Sequence, residues 1–276
     1  MNFLLGSRGR LARAISSSTL LGDITVLDRS AYADWSRPGA ADGISRFFER
    51  ITNAGGIVYI AAGLIDPRQP QEDHHRINFI LPKNVIEGAS RVGLRAVTFG
   101  TVMENAIANK SRNPYYSSKK ELANFVAEFS SRTELVLHIR MHTLYGGGPP
   151  APFMFLGQIL HSIERRAEFY MSSGLQLREY HHVDDDVAAI LKFTSSRMKG
   201  IVELSHGAPV MLKDLATFVF ESFDCLELLK VGALATPPEE NYEIVFERSP
   251  QLGELKFRNS LSSIVEFLQA CRPSSQ

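Results

Sequence analysis

Met1-Asn2-Phe3-Leu4-Leu5-Gly6-Ser7-Arg8-Gly9-Arg10-Leu11-Ala12 opens the 276-residue chain, and its reading decides the fold. An apolar run, a glycine turn and a helical start follow one another without a spacer, the order of a strand feeding a βαβ unit. In a dinucleotide site Gly6 supplies the tight turn and Gly9 lets backbone approach a pyrophosphate. Ala12 is small enough where the helix packs on its strand. Arg8, Arg10 and Leu11 complete the candidate contacts of this turn. A second apolar run, Ile24-Thr25-Val26-Leu27, leads to Asp28-Arg29-Ser30, twenty-two residues after Gly6, where groups touching an adenosine ribose are expected.

Further along, Asn113-Pro114 is a helix-start signal: Asn caps well and Pro suits the first helical position. Tyr115 and Lys119 follow at i and i+4, on one helix face. An ammonium beside a phenol favours the phenolate and is expected to lower the tyrosine pKa from about 10. A proton donor or acceptor for a carbonyl/alcohol pair needs that tuning. Tyr-x-x-x-Lys alone also fits an ordinary amphipathic helix. Together with the glycine turn and the ribose-position residues it points to nicotinamide-dependent carbonyl chemistry.

Lys+Arg and Asp+Glu both number 30, so no charge excess draws the chain to nucleic acid or to an anionic membrane. Cys225 and Cys271 stand alone, without metal-ligand spacing, as suits a reducing compartment. No apolar run reaches the roughly 18 residues of a membrane span, and Phe3–Leu5 is too short for a signal-peptide core. A cytoplasmic protein is the expectation.

The fold expected is α/β: a Rossmann-type parallel sheet with helices on both faces plus a small α/β substrate lobe. Candidate strands are Asn2–Leu5, Ile24–Leu27, Ile57–Ala61, Arg95–Phe99 and Glu134–Ile139. Candidate helices are Leu11–Ser17, Ala41–Asn53, Ile80–Val92 and Pro114–Ser130. Tyr145-Gly146-Gly147-Gly148-Pro149-Pro150-Ala151-Pro152 is the strongest break. Residues 1–145 are therefore assigned to the dinucleotide-binding domain, and 146–276 mainly to the substrate lobe, with some segments returning. A helix over Met154–Arg166, a charged turn near Asp184, helices over Leu212–Phe223 and Leu261–Ala270, and a surface loop at Pro237-Pro238-Glu239-Glu240 complete the outline.

Four further segments carry a family resemblance: Ile60-Ala61-Ala62-Gly63, Asn78, Arg140 through Tyr145-Gly146, and Gly174-Leu175-Gln176-Leu177-Arg178-Glu179-Tyr180-His181-His182-Val183-Asp184-Asp185. From Gly6 to about Phe267 the chain resembles the extended short-chain dehydrogenase/reductases, in their nucleotide-sugar branch of epimerases, dehydratases and reductases. The resemblance implies that Ala61, Ala62, Gly63 and Asn78 help to bind the cofactor. It implies that Tyr115, Lys119 and a Ser or Thr on the loop after the fourth or fifth strand form the catalytic triad. Thr101 in Gly100-Thr101-Val102-Met103-Glu104 resembles a "G[ST]xxE" segment, whereas Thr98 reads as strand filler. Arg178 presents a fork of donors suited to a diphosphate; an ion pair with Glu179 or Asp184 is the plain alternative. Thr143 and Phe153 are further substrate candidates. His181 and His182 read as packed or solvated rather than as metal ligands, and no metal is expected. The resemblance also implies a homodimer, formed through the helix from Pro114.

The chain also departs from the family pattern. Only fourteen residues separate Thr101 from Tyr115, similar to CDP-sugar 4-keto reductases. Val102 and Met103 stand where 4,6-dehydratases carry an Asp-Glu pair. No cysteine lies near Thr101, as 3,5-epimerase/reductases require, and Thr143 replaces an asparagine. Asp28 points to NAD(H), whereas Arg8 and Arg29 together suit a 2′-phosphate. NADP(H) is favoured and NAD(H) left open. The implied reaction is reduction of the C4 keto group of a nucleotide-linked 4-keto-6-deoxyhexose. The alternatives are an NAD-dependent nucleotide-sugar 4-epimerase, or a non-catalytic NADP(H)-binding sensor.

Overall fold

The structure, a computed structural model, describes residues 1–52, 55–106, 113–196 and 198–272. The opening apolar run forms β1 (Asn2–Leu5), and the glycine turn leads into α1 (Arg10–Ser17). The chain continues through β2 (Ile24–Val26), α2 (Ala41–Ile51), β3 (Ile57–Ile60), α3 (Gln71–His75), a π-helical turn (Arg76–Ile80), α4 (Leu81–Arg91) and β4 (Arg95–Thr101). Then come α5 (Met103–Ala106), α6 (Pro114–Ser130), β5 (Val136–Met141), β6 (Thr143–Tyr145), α7 (Phe155–Arg165) and β7 (Phe169–Met171). The remainder is β8 (Leu177–Arg178), β9 (Tyr180–His182), α8 (Val183–Ser195), β10 (Gly200–Glu203), β11 (Val210–Met211), α9 (Leu212–Ser222), β12 (Leu229–Val231) and α10 (Ser260–Cys271).

Two compact units result, one comprising Met1–Met141 and Val187–Leu204, the other His142–Asp186 and Ser205–Gln276. The first is the Rossmann-type unit. Six strands pair in parallel in the order β10-β5-β4-β3-β1-β2. β1 is flanked by β2 on one side and β3 on the other, so the strand order reverses there. Open α/β sheets bind ligands at such a switch point, beyond the carboxyl ends of the strands. Phe3, Leu5, Val58, Ile60, Ala96 and Val136 share one core with Ile44 and Phe48 of α2, Val85 and Ile86 of α4, and Leu122 and Val126 of α6. The intervening Leu4, Tyr59, Val97, Leu137 and Ile139 are buried too. Burial of both residue sets marks a parallel sheet covered on both faces.

The other unit holds the pairs β6–β9 and β7–β12, both parallel, and the antiparallel pair β8–β11. Leu156, Ile159, Ile163, Leu215, Val219, Phe220, Ile264 and Leu268 of α7, α9 and α10 form its core. The division falls at Met141 rather than at Tyr145, because β6 pairs with β9 and not with the large sheet. Val187–Leu204 belongs to the first unit and supplies its edge strand β10.

One local expectation is corrected. The segment at Asp184 is not a turn: Asp184, Asp185 and Asp186 fill the first turn of α8, where carboxylates complement the helix dipole. The polar Gln71–His75 segment is helical, although its composition hides this. The expected helix from Ala41 runs to Ile51, and its Asn53 end lies outside the described residues. Among the described residues no helix is long and apolar enough to cross a membrane.

Candidate active site

At the end of β1, Gly6 has φ +97°, and a Cβ there would lie 2.4 Å from Ala62 N. Only glycine allows the β1 and β3 loops to close on one another. Gly9 stands at the start of α1, its N–H donating to Gly6 O at 3.1 Å. No side chain caps α1 and its first turn holds no acid, an arrangement that suits an anion. Arg8 is exposed, while Arg10 and Leu11 are half-buried. Asp28 accepts from Ser30 N at 2.8 Å and Ser30 Oγ at 2.7 Å. Those bonds, with the nearby Arg8 charge, hold its carboxyl below the usual carboxylate range. Arg29 follows it, exposed, in a short 3-10 turn. A cradle that any Cβ would fill, an uncapped helix start and two guanidiniums beside an acid fit a dinucleotide phosphate.

Ala61 and Ala62 are half-buried in the loop after β3. A Cβ on Gly63 would lie 3.5 Å from Asn78 Oδ1 and 3.8 Å from Lys119 Nζ. Asn78 is fully buried, and its amide is spent on the chain itself. It donates to Leu64 O at 2.9 Å and Ser118 Oγ at 3.1 Å, and accepts from Leu64 N at 2.8 Å. Asn78 therefore ties the β3 loop to α6 instead of offering its amide to a ligand. His74, missed in the sequence, is buried beside it, with its ring 6.4 Å from that of Tyr115.

Asn113 caps α6 as expected, Oδ1 accepting from Tyr115 N at 2.9 Å, with Pro114 in the first turn. Lys119 is buried and its Nζ donates to Phe99 O at 2.7 Å. Burial brings its amine down to about 8, against the opposing pull of Glu104. The Tyr115 phenol moves the other way from the expectation. Burial first, then Glu104 and Tyr116, push it above its ordinary range. The expected lowering by Lys119 does not prevail: burial of the phenol is the largest effect, and the Glu104 charge adds to it.

Thr101 is the last residue of β4 and is buried. Its Oγ1 accepts from Met103 N at 3.3 Å, and its N–H donates to Glu104 Oε1 at 2.8 Å. Glu104 Oε2 accepts from Arg140 Nε at 3.0 Å and lies 3.3 Å from His138 Nε2. Burial alone would raise the Glu104 carboxyl; His138, Thr101 N–H and Arg140 outweigh it and hold the group low. Thr101 N–H thus bonds a carboxylate whose charge acts on both Tyr115 and Lys119.

In the second unit, Thr143 N donates to Glu179 O at 3.1 Å. Phe153 is half-buried, its carbonyl accepting from Gln158 Nε2 at 3.0 Å. Arg178 forms its ion pair with Glu240, neither with Glu179 nor with Asp184, and donates to Leu177 O at 3.1 Å. His181 is fully buried between two carboxylates, Nδ1 at 2.7 Å from Asp186 and Nε2 at 3.0 Å from Glu179. Burial would lower this ring, but Asp186 and Glu179 outweigh it and raise it to about 9. Burial would likewise raise Glu179, yet His181, His142 and Ser205 bring it down to about 2. Donor atoms of Glu179, His181 and His206 lie within 4.8 Å of one another, a spacing compatible with a metal ion. Both nitrogens of His181 are already bonded, however, and His206 Nδ1 accepts from Ala208 N at 3.1 Å. His206 Nε2 is buried without a hydrogen-bond partner among the described residues.

Residues 5–202 match the family model described as the NAD dependent epimerase/dehydratase family. No curated protein matches. Among solved structures, a dTDP-4-dehydrorhamnose reductase from Clostridium acetobutylicum is 19% identical over 98% of this chain and 99% of that one, with a TM-score of 0.73. Pal from Bacillus thuringiensis is 16% identical, with 98% of each chain covered and a TM-score of 0.79. RMD from Pseudomonas aeruginosa, complexed with NADPH, is 12% identical over 98% of each chain, with a TM-score of 0.74. At such identities the likeness is one of fold.

Proposed function

The chain belongs to the NAD dependent epimerase/dehydratase family and is an NAD(P)-dependent enzyme of the extended short-chain dehydrogenase/reductase type, and we propose that it reduces the C4 keto group of a nucleotide-linked 4-keto-6-deoxyhexose. The nicotinamide, when bound, supplies the hydride. Tyr115 gives its proton to the developing alkoxide, Thr101 orients the keto oxygen, and Lys119 holds the nicotinamide ribose. Arg178 is the proposed partner of the substrate diphosphate, with Thr143 and Phe153 beside the sugar.

The observation that carries the reading is the combination of Tyr115 and Lys119, one turn apart on α6, with Thr101 at the end of β4 and apolar residues after it. Tyr115, held protonated, can give its proton to a developing alkoxide. Val102 and Met103 are buried apolar side chains after Thr101 and can move no proton at a sugar carbon, which disfavours dehydration. NADPH is the proposed reductant, since Asp28 is engaged by Ser30 while Arg8 and Arg29 remain for a 2′-phosphate. A homodimer through α6 is proposed as well.

The test is incubation of the purified protein with NADPH and a panel of nucleotide-linked 4-keto-6-deoxyhexoses. One equivalent of NADPH oxidised per 4-hydroxy sugar formed is expected. Interconversion of C4 epimers by protein carrying tightly bound NAD⁺, with no added reductant, would replace the reading by the epimerase one.

A further inference from the structure

Glu104 takes no direct part in the proposed reaction, yet the end of β4 is built around it. Its side chain is 0% exposed, and a carboxylate is buried at a large cost unless it is paired and hydrogen-bonded. It is satisfied from three directions: Thr101 N–H at 2.8 Å, Arg140 Nε at 3.0 Å and His138 Nε2 at 3.3 Å. An ionised carboxylate only accepts, so His138 Nε2 carries a hydrogen. The ring is fixed from behind by Thr98 Oγ1, 2.8 Å from Nδ1, and Arg140 reaches on to Glu203 of β10 at 3.4 Å. Gly100 makes the room: a Cβ there would lie 2.2 Å from both Glu104 Oε1 and His138 Nε2. A strand core filled with apolar side chains would be simpler to stabilise than this charged nest.

We propose that Glu104 is a positioning residue of the Thr101–Tyr115–Lys119 site, its carboxylate fixing the Thr101 main chain and supplying the negative charge that acts on both α6 side chains. The proposal rests on the triad reading above. Glu104 lies on α5, which packs against α6; His138 and Arg140 from β5 bond it, with Glu203 behind Arg140, and its charge acts on Tyr115 and Lys119 of α6. Its charge supports the buried Lys119 ammonium and holds the Tyr115 proton in place. Its Oε1 holds the backbone on which the Thr101 hydroxyl is mounted.

The test separates charge from shape. Glu104→Gln keeps an acceptor for Thr101 N–H and removes the charge. The Lys119 acid constant is read in the whole protein, without substrate, by competitive acetylation across pH with mass-spectrometric detection. The expected midpoint is near 8 in the parent and about one unit lower in Glu104→Gln, a tenfold change in acid constant. With a turned-over keto-sugar, the alkaline limb of the kcat profile moves to lower pH in Glu104→Gln, while KM for NADPH is unchanged. Glu104→Asp keeps the charge but withdraws it from Thr101. The Lys119 midpoint should then stay put while kcat falls roughly a hundredfold, as misplacement by about 1 Å implies. A folded Glu104→Gln with an unshifted Lys119 midpoint overturns the proposal. If Glu104→Gln does not fold, an unchanged kcat in Glu104→Asp overturns it instead. Should no keto-sugar be turned over at all, the proposed reaction fails while the Lys119 midpoint still decides the role of Glu104.

Discussion

Replacing His181 by Phe removes the one cation between two buried carboxylates. In the parent protein its ring bonds Asp186 at 2.7 Å and Glu179 at 3.0 Å, and all three side chains are closed to solvent. Its pKa rises from 6.5 to about 9 on folding. At about 1.4 kcal/mol per unit, this corresponds to about 3 kcal/mol of stability. Because the folded value is the higher one, that contribution is complete below pH 6.5 and fades as pH rises toward 9. The Phe variant keeps the ring stacked near His206, 4.5 Å away in the parent, but leaves Glu179 and Asp186 facing each other. Breaking a buried pair in this way costs about 3–5 kcal/mol. Urea unfolding followed by circular dichroism should show the parent midpoint falling from pH 6.5 to about 8, above which the lowered Lys119 pKa offsets the loss. His181→Phe should start lower and show no fall between pH 6.5 and 8. Hydrogen exchange of peptides spanning 177–186 localises the effect. A parent midpoint that does not move between pH 6.5 and 8, or a variant with the same slope, refutes the buried imidazolium.

Tyr115→Phe should abolish turnover while leaving the dissociation constant for NADPH within a factor of about two, measured by fluorescence titration. Asn78→Ala leaves Leu64 N and O without partners and should destabilise the protein by about 1–3 kcal/mol in thermal unfolding; an unchanged melting temperature would remove its structural role. Arg8→Ala should weaken NADPH binding about tenfold and leave NADH binding unaffected, since it removes one guanidinium from a 2′-phosphate. Gly100→Ala should cost at least about 1–3 kcal/mol, because the new methyl collides with Glu104 and His138.

The Rossmann-type architecture was legible because its signals are local. An apolar run followed by Gly6 already fixes a strand, its turn and the helix after it, and Asn113-Pro114 gave the start of α6 to the residue. The charge arrangement of the site was not legible. Tyr115 and Lys119 at i and i+4 suggested a phenol lowered by an amine. Glu104, His138 and Arg140 enter the same volume from other elements, and their effect depends on burial that spacing does not encode. Asn78 was expected to bind the cofactor, but sequence could not tell an amide offered to a ligand from one consumed by Leu64 and Ser118. The partner of Arg178 was out of reach for a similar reason: Glu240 lies 62 residues downstream, and no periodicity links the two.

The late arrival of β10 has a consequence for biosynthesis. β5 ends at Met141, and its outer neighbour begins only at Gly200, so 58 residues must be translated before that flank is covered. At about 5–20 residues per second, the nascent chain carries a bare apolar β-edge for about 3–12 s. An uncovered edge of this kind invites intermolecular pairing. Ribosome stalling or slow codons within that window should therefore drive the protein into inclusion bodies, and chaperone supply should matter most there.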